Sequence, residues 1–148
     1  LNILKVLFIS LFSFFAIPAL SQSDIAGQWV TIDDDGETKK SIVELTISNG
    51  ELSGKIIKLL NPDPDKPKTC EECKGANKDK PIEGLVFLQG MTFEDGEWSG
   101  GKILDPASGK EYKCNMSLID DGKRLKVRGF IGFSLIGRTQ YWHKHPAE

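Results

Sequence analysis

Residues 111–119 read Glu-Tyr-Lys-Cys-Asn-Met-Ser-Leu-Ile, and Asp120-Asp121-Gly122 follows. In an extended chain Tyr112, Cys114, Met116 and Leu118 face one way, and Glu111, Lys113, Asn115 and Ser117 the other. A period of two with one apolar side is the pattern of a half-buried β-strand. Asp-Gly is turn chemistry, so the stretch reads as a strand running into a tight turn. Cys114, on the apolar side, is expected to be a small core hydrophobe rather than a partner for the other thiols.

The same pattern repeats outward in both directions. Upstream, Glu97 to Leu104 reads as a strand that reaches 111–119 through the turn Asp105-Pro106-Ala107-Ser108-Gly109. Before it lie Asp95-Gly96 and the apolar stretch Gly84 to Phe93. Near the start, Gly27 to Ile32, Ser41 to Ser48 and Glu51 to Leu60 read as strands, the last two joined by Asn49-Gly50, a strong hairpin signal. Downstream come Arg124 to Phe133 and Leu135 to His143. Gly and Pro interrupt every window long enough for helical periodicity. The expected fold is all-β, an antiparallel up-and-down barrel of about eight strands, because closure leaves no exposed edges. A two-layer sandwich is the alternative. Asn61 to Glu83 departs from the pattern. Pro62 to Pro67 cannot hold a strand ladder, and a connection this long is expected to be functional or mobile.

Residues 1–21 read as a secretory signal. Lys5 is the only charge before Asp24, Val6 to Leu20 is apolar apart from Ser10 and Ser13, and Ala19-Leu20-Ser21 supplies small residues for cleavage. A retained anchor is the competing reading, but a spanning helix needs roughly 20 apolar residues and this run is shorter. Residues 22–148 are then a single domain in the periplasm or outside the cell, with no transmembrane segment after cleavage. The net charge is −2 with no basic stripe, which argues against a nucleic-acid partner.

Cys70-Glu71-Glu72-Cys73 is the most conspicuous motif. Two cysteines this close in an oxidising compartment are expected to pair as a disulfide. A redox-active pair would need basic neighbours or a helix N-terminus to lower the thiol pKa, and here two Glu intervene. A metal site would need further ligands, with only Cys114, His143 and His145 in reserve. No metal, no cofactor and no catalytic residue is expected. In a closed barrel the first and last strands are neighbours, so Trp29 and Arg138 are expected to stack and close one end. Phe130, Phe133, Tyr141 and Trp142 are the candidates to line a ligand pocket, the alternative being that they fill the interior.

Taken together, several stretches resemble the bacterial family called "domain of unknown function 2147". They are Gly27-Gln28-Trp29, Gly54-Lys55-Ile56, Cys70 to Cys73, Lys78 to Ile82, Gly100 to Pro106, Arg128 to Gly132 and Gly137 to Trp142. The resemblance implies a bacterial envelope protein with a lipocalin-like barrel and no assigned activity. The Gly-x-Trp opening with an Arg in the closing strand is also similar to the lipocalin signature, which would give Trp29 and Arg138 the closure of the barrel base.

Three functions follow as expectations. The first is a binding module for a lipid or other apolar small molecule, with Asn61–Glu83 as a lid and an internal cavity. The second is an envelope interaction protein with a filled barrel and exposed aromatics around Phe130 to Trp142. The third, an enzyme or redox protein built on Cys70 and Cys73, ranks last, and the chain is read as a non-enzyme.

Overall fold

The computed structural model describes residues 21–66 and 68–146. Residues 1–20, which hold nearly all of the segment read as an export signal, lie outside the described residues. Eight strands follow one another, β1 (Gly27–Ile32), β2 (Lys39–Ser48), β3 (Glu51–Leu59), β4 (Val86–Glu94), β5 (Glu97–Asp105), β6 (Lys110–Ile119), β7 (Arg124–Phe130) and β8 (Gly137–Lys144). Each pairs antiparallel with the next, and β8 returns to β1, so the sheet is a closed barrel rather than a sandwich. The Asn49-Gly50 and Asp95-Gly96 turns both have left-handed backbone, with φ of 50° and 78° in the first and 50° and 81° in the second. Such turns twist in the same sense as the strands they join, which makes these residue pairs effective hairpin formers.

The last hairpin is shorter than its apolar sequence suggests. β7 stops at Phe130 and β8 starts at Gly137, leaving Ile131–Ile136 as a loop. This run alternates as Ile131-Gly132-Phe133-Ser134-Leu135 but does not continue the ladder, which ends at the Phe130–Gly137 pair. It closes on itself instead, through Ile131 N–H to Ile136 O at 3.3 Å and Ile136 N–H to Phe133 O at 3.0 Å.

One half of the interior is solid. Trp29, Leu45, Leu52, Met91, Trp98, Met116 and Leu125 are each at most 2% exposed and fill the end where β1 begins and β8 finishes. A single 3-10 turn, Gln22–Ile25, crosses that end. Its buried Ile25 adds apolar cover, and its carbonyl accepts the Trp29 indole N–H at 2.9 Å.

The stacking expected between Trp29 and Arg138 is not formed. Lys144 stands in the expected place, its Nζ 4.6 Å from the centre of the Trp29 ring. The reason is register. Trp29 pairs with Lys144 across the closing seam, and Arg138 lies six residues earlier on β8, about 20 Å away at ~3.3 Å per residue. The Lys144 ammonium also donates to the carbonyls of Asp24 and Ala26, both at 3.0 Å. Burial holds its pKa below the ordinary lysine value, while Asp24 pulls the other way.

Replacing Lys144 removes a cation–π contact and two hydrogen bonds to backbone carbonyls. Lys144→Ala is expected to lower stability by about 1–2 kcal/mol, read as a lower urea midpoint with an unchanged m-value.

Candidate functional site

The opposite half of the barrel is hollow. A cavity of about 1070 Å³ opens at the end that carries the β1–β2, β3–β4, β5–β6 and β7–β8 connections. Its depth is set by Val43, Ile56, Phe87, Val127 and Trp142, inward-facing residues just above the packed layer. Phe87 and Trp142 meet with ring centres 6.0 Å apart and planes tilted by 50°.

Polar groups in the wall are already satisfied. The Trp142 indole N–H can only donate, and it meets the Gln140 Oε1 at 3.3 Å. That turns the Gln140 amide nitrogen toward Asp34 Oδ1 at 2.8 Å, and Arg138 donates to Asp34 Oδ2 at 2.6 Å. On the adjoining strands β1 and β2 the hydroxyls of Thr31 and Ser41 are 2.7 Å apart. Among the described residues no buried side-chain nitrogen or oxygen lacks a partner. No stranded donor or acceptor therefore calls for a polar ligand group deep in the cup. Some rim charges pair, as in Lys40–Asp33 at 3.6 Å and Lys66–Asp63 at 3.8 Å.

The long β3–β4 connection forms one side of the mouth and is clamped rather than loose. Cys70 and Cys73 are joined in a disulfide and are almost fully buried. Thr69 and Pro81 form an isolated bridge, flanked by Cys70 N–H to Lys80 O at 2.8 Å and Ile82 N–H to Lys68 O at 2.9 Å. The Cys70 sulfur rests 3.4 Å from the Pro106 carbonyl oxygen in the β5–β6 turn. In the same turn, a Cβ on Gly109 would fall 1.9 Å from the Glu72 carbonyl oxygen, and its φ is +67°. Only glycine lets loop and turn approach this closely.

The four aromatics expected to line a pocket do not act together. Phe130 and Trp142 are in the cavity wall. Tyr141 follows the strand alternation and faces outward beside Trp142, with Arg124 5.4 Å over its ring. Adjacent strand residues point to opposite faces, so both could not line one interior. Phe133 stands at the tip of the β7–β8 loop, 79% exposed. Sequence reasoning missed the inner-wall residues Gln140, Thr31 and Ser41, whose polarity hides an inward position. It also missed Gly129, which lines the cavity without a side chain. Asp105 binds Ala107 and Ser108 of its own turn, and Arg128 binds Ser134 and Thr139.

Cys114 is the one free thiol among the described residues and is buried. Burial, with a smaller contribution from Glu97, pushes its pKa up to about 12. At neutral pH it is a protonated core group rather than a nucleophile.

The model of a family described as "Uncharacterized protein conserved in bacteria (DUF2147)" matches residues 27–144. Among solved structures, the chain is similar to protein HP1028 from Helicobacter pylori, described as belonging to the lipocalin family. The two are 21% identical, the match covers 82% of each chain, and the TM-score is 0.69. This likeness establishes a lipocalin-like barrel fold. No curated protein matches the chain.

The clamp and the thiol each give an expected outcome. Gly109→Ala should lower stability by about 1–3 kcal/mol and speed amide exchange at Cys70 and Ile82, whose N–H groups pin the loop. For Cys114, a folded pKa of about 12 exceeds the ordinary thiol value of 9.0, so the folded state holds this proton more tightly. Its contribution is fully present below about pH 9 and is lost as pH rises toward 12. Melting temperature should fall across that window by less in Cys114→Ala than in the parent. Alkylation of Cys114 at pH 8 should require unfolding.

Proposed function

The chain belongs to the bacterial DUF2147 family, and from that premise and its lipocalin-like fold we propose that it is a binding module for an apolar small molecule such as a lipid. The observation that carries this reading is the cavity of about 1070 Å³, at the upper end of the roughly 300–1,000 Å³ typical of ligand pockets. Its apolar depth and self-satisfied polar groups favour a ligand recognised by shape and apolar contact. An interaction protein with a filled barrel fits less well, because only the closed half is filled.

The module is a carrier rather than a catalyst and works outside the cytoplasm, in the periplasm or as a secreted protein. The non-catalytic reading is supported by a disulfide that occupies both loop thiols and by a third thiol buried in its protonated form. Export is supported by the apolar run Val6 to Leu20 and by the disulfide, since such bonds persist in oxidising compartments.

An environment-sensitive naphthylamine dye titrated into the protein should brighten and saturate at one site. Gly129→Phe tests the location. A Cβ at Gly129 meets only Ile103 and Tyr112, both at 3.7 Å, so a larger side chain can be built there and would occupy cavity space. The variant should keep its fold by circular dichroism and bind the dye at least about tenfold more weakly, a loss of ~1.4 kcal/mol. A dye that does not brighten, with no bound species in native mass spectrometry of protein from its own host, would overturn the reading.

A further inference from the structure

The β7–β8 loop leaves four large apolar side chains in water. Ile131, Phe133, Leu135 and Ile136 are 64%, 79%, 90% and 71% exposed. They are the most exposed large hydrophobics among the described residues, and all belong to one six-residue loop. A contiguous exposed apolar patch of this kind marks an interaction site rather than ordinary surface scatter.

The charge flanking the patch along the chain is one-sided, although Glu97 lies in the same surface depression as Lys126, Arg128 and Ser134. From Gly122 to Ala147 the sequence holds Lys123, Arg124, Lys126, Arg128, Arg138 and Lys144 and no Asp or Glu. Arg124 and Arg138 are met by acids from other segments, Asp120 and Asp34. Arg128, at the base of the apolar loop, has no carboxylate within ion-pair distance among the described residues. Its guanidinium instead donates to the Ser134 carbonyl at 2.6 Å and Thr139 Oγ1 at 2.9 Å, which holds the cation against the loop. Lys126, two residues earlier on the same strand, is likewise without an acid partner among the described residues.

We propose that the Ile131–Ile136 loop docks the open end of the barrel onto an anionic phospholipid surface. Phe133 and Leu135 would enter the headgroup–acyl boundary, while Arg128 and Lys126 meet lipid phosphates. Apolar side chains backed by cations are the combination that binds such an interface. A protein partner is the poorer fit. Stable protein interfaces bury about 800 Å² on each side, and four side chains at a hairpin tip offer far less. The patch is also continuous with the cup, because Ile131 and Ile136 line the cavity mouth. Docking there would hold the mouth against the membrane, so that an apolar ligand could pass between bilayer and cup with little exposure to water. That exchange rests on the binding reading given above. The docking itself does not.

Co-sedimentation with vesicles tests the proposal, using phosphatidylcholine alone and phosphatidylcholine with about one-third phosphatidylglycerol. The protein should bind the anionic vesicles and bind more weakly as salt rises from about 0.05 to about 0.5 M. The double variant Phe133→Ser, Leu135→Ser should bind them roughly tenfold or more weakly. Neither residue lines the cavity, so this variant should keep its circular dichroism spectrum and take up the naphthylamine dye from solution as the parent does. A separate Arg128→Gln variant should show a reduced salt dependence. No binding to anionic vesicles, or binding unchanged in the double variant, would overturn the docking proposal. So would concentration-dependent self-association that the double variant abolishes without vesicles present, because a second copy would then cover the loop. Vesicle binding with no dye uptake would leave the docking standing and count against the cup.

Discussion

The structure depends on how the barrel closes. β1 and β8 share only two paired positions, Trp29 with Lys144 and Val30 with His143, whereas β7 and β8 pair continuously from Arg124 to Phe130. The short ladder sits at one end, and the Trp29 indole, the Ile25 carbonyl and the Lys144 ammonium complete the seal there. Higher up, the seam is spanned by side chains, with Asp34 of the β1–β2 connection accepting from Arg138 and Gln140. An exposed ion pair alone contributes little. Gln140 is also tied to the buried Trp142, however, so this bridge is anchored to the wall. Closure at one end therefore leaves the other end free to stay open.

Packing divides along the same line. Below, two tryptophans, two methionines and several leucines interlock, and fully burying an apolar side chain of this size is worth about 1.5–3 kcal/mol. Above, Val43, Val127 and Gly129 are too small to meet across the interior. Atoms facing the void lack the dispersion contacts that a filled core would supply. A ligand that fills the cup would restore those contacts in the folded state alone and so stabilise the fold by mass action. The clamped Cys70–Cys73 loop fits this division, because a mouth fixed by a disulfide and a tight Gly109 contact keeps its shape while the contents change.

Much of this was legible in the sequence. Alternation such as Tyr112-x-Cys114-x-Met116 marks strands, because one face must be buried, and Asn-Gly and Asp-Gly mark turns that need left-handed backbone. Closure of the barrel followed from those signals and from the family resemblance. What was not legible depends on register and three-dimensional position. Choosing Arg138 over Lys144 as the partner of Trp29 requires knowing how far β8 slides along β1, and local patterning carries no such information. Tyr141 and Trp142 were grouped by type although alternation puts them on opposite faces. Phe133 was read as pocket lining because an aromatic residue in an apolar run suggests burial. The run Ile131 to Ile136 instead bulges out as a loop, and its composition is that of a core segment placed at the surface.

Two apolar surfaces remain unmatched when this chain folds, the wall of the cup and the β7–β8 loop. Leaving both in contact with water forgoes stabilisation that larger side chains in the cup and polar ones in the loop would provide. If the two lay at opposite ends, each would need its own explanation. They meet instead at one rim, where Ile131 and Ile136 belong to both. The opposite end is sealed by buried tryptophans and polar turns and exposes no comparable patch among the described residues. The apolar surface left by folding is thus gathered at the single opening of the barrel. One apolar environment applied to that rim would satisfy the loop from outside and supply the cup from within, which joins the two features in a single physical account.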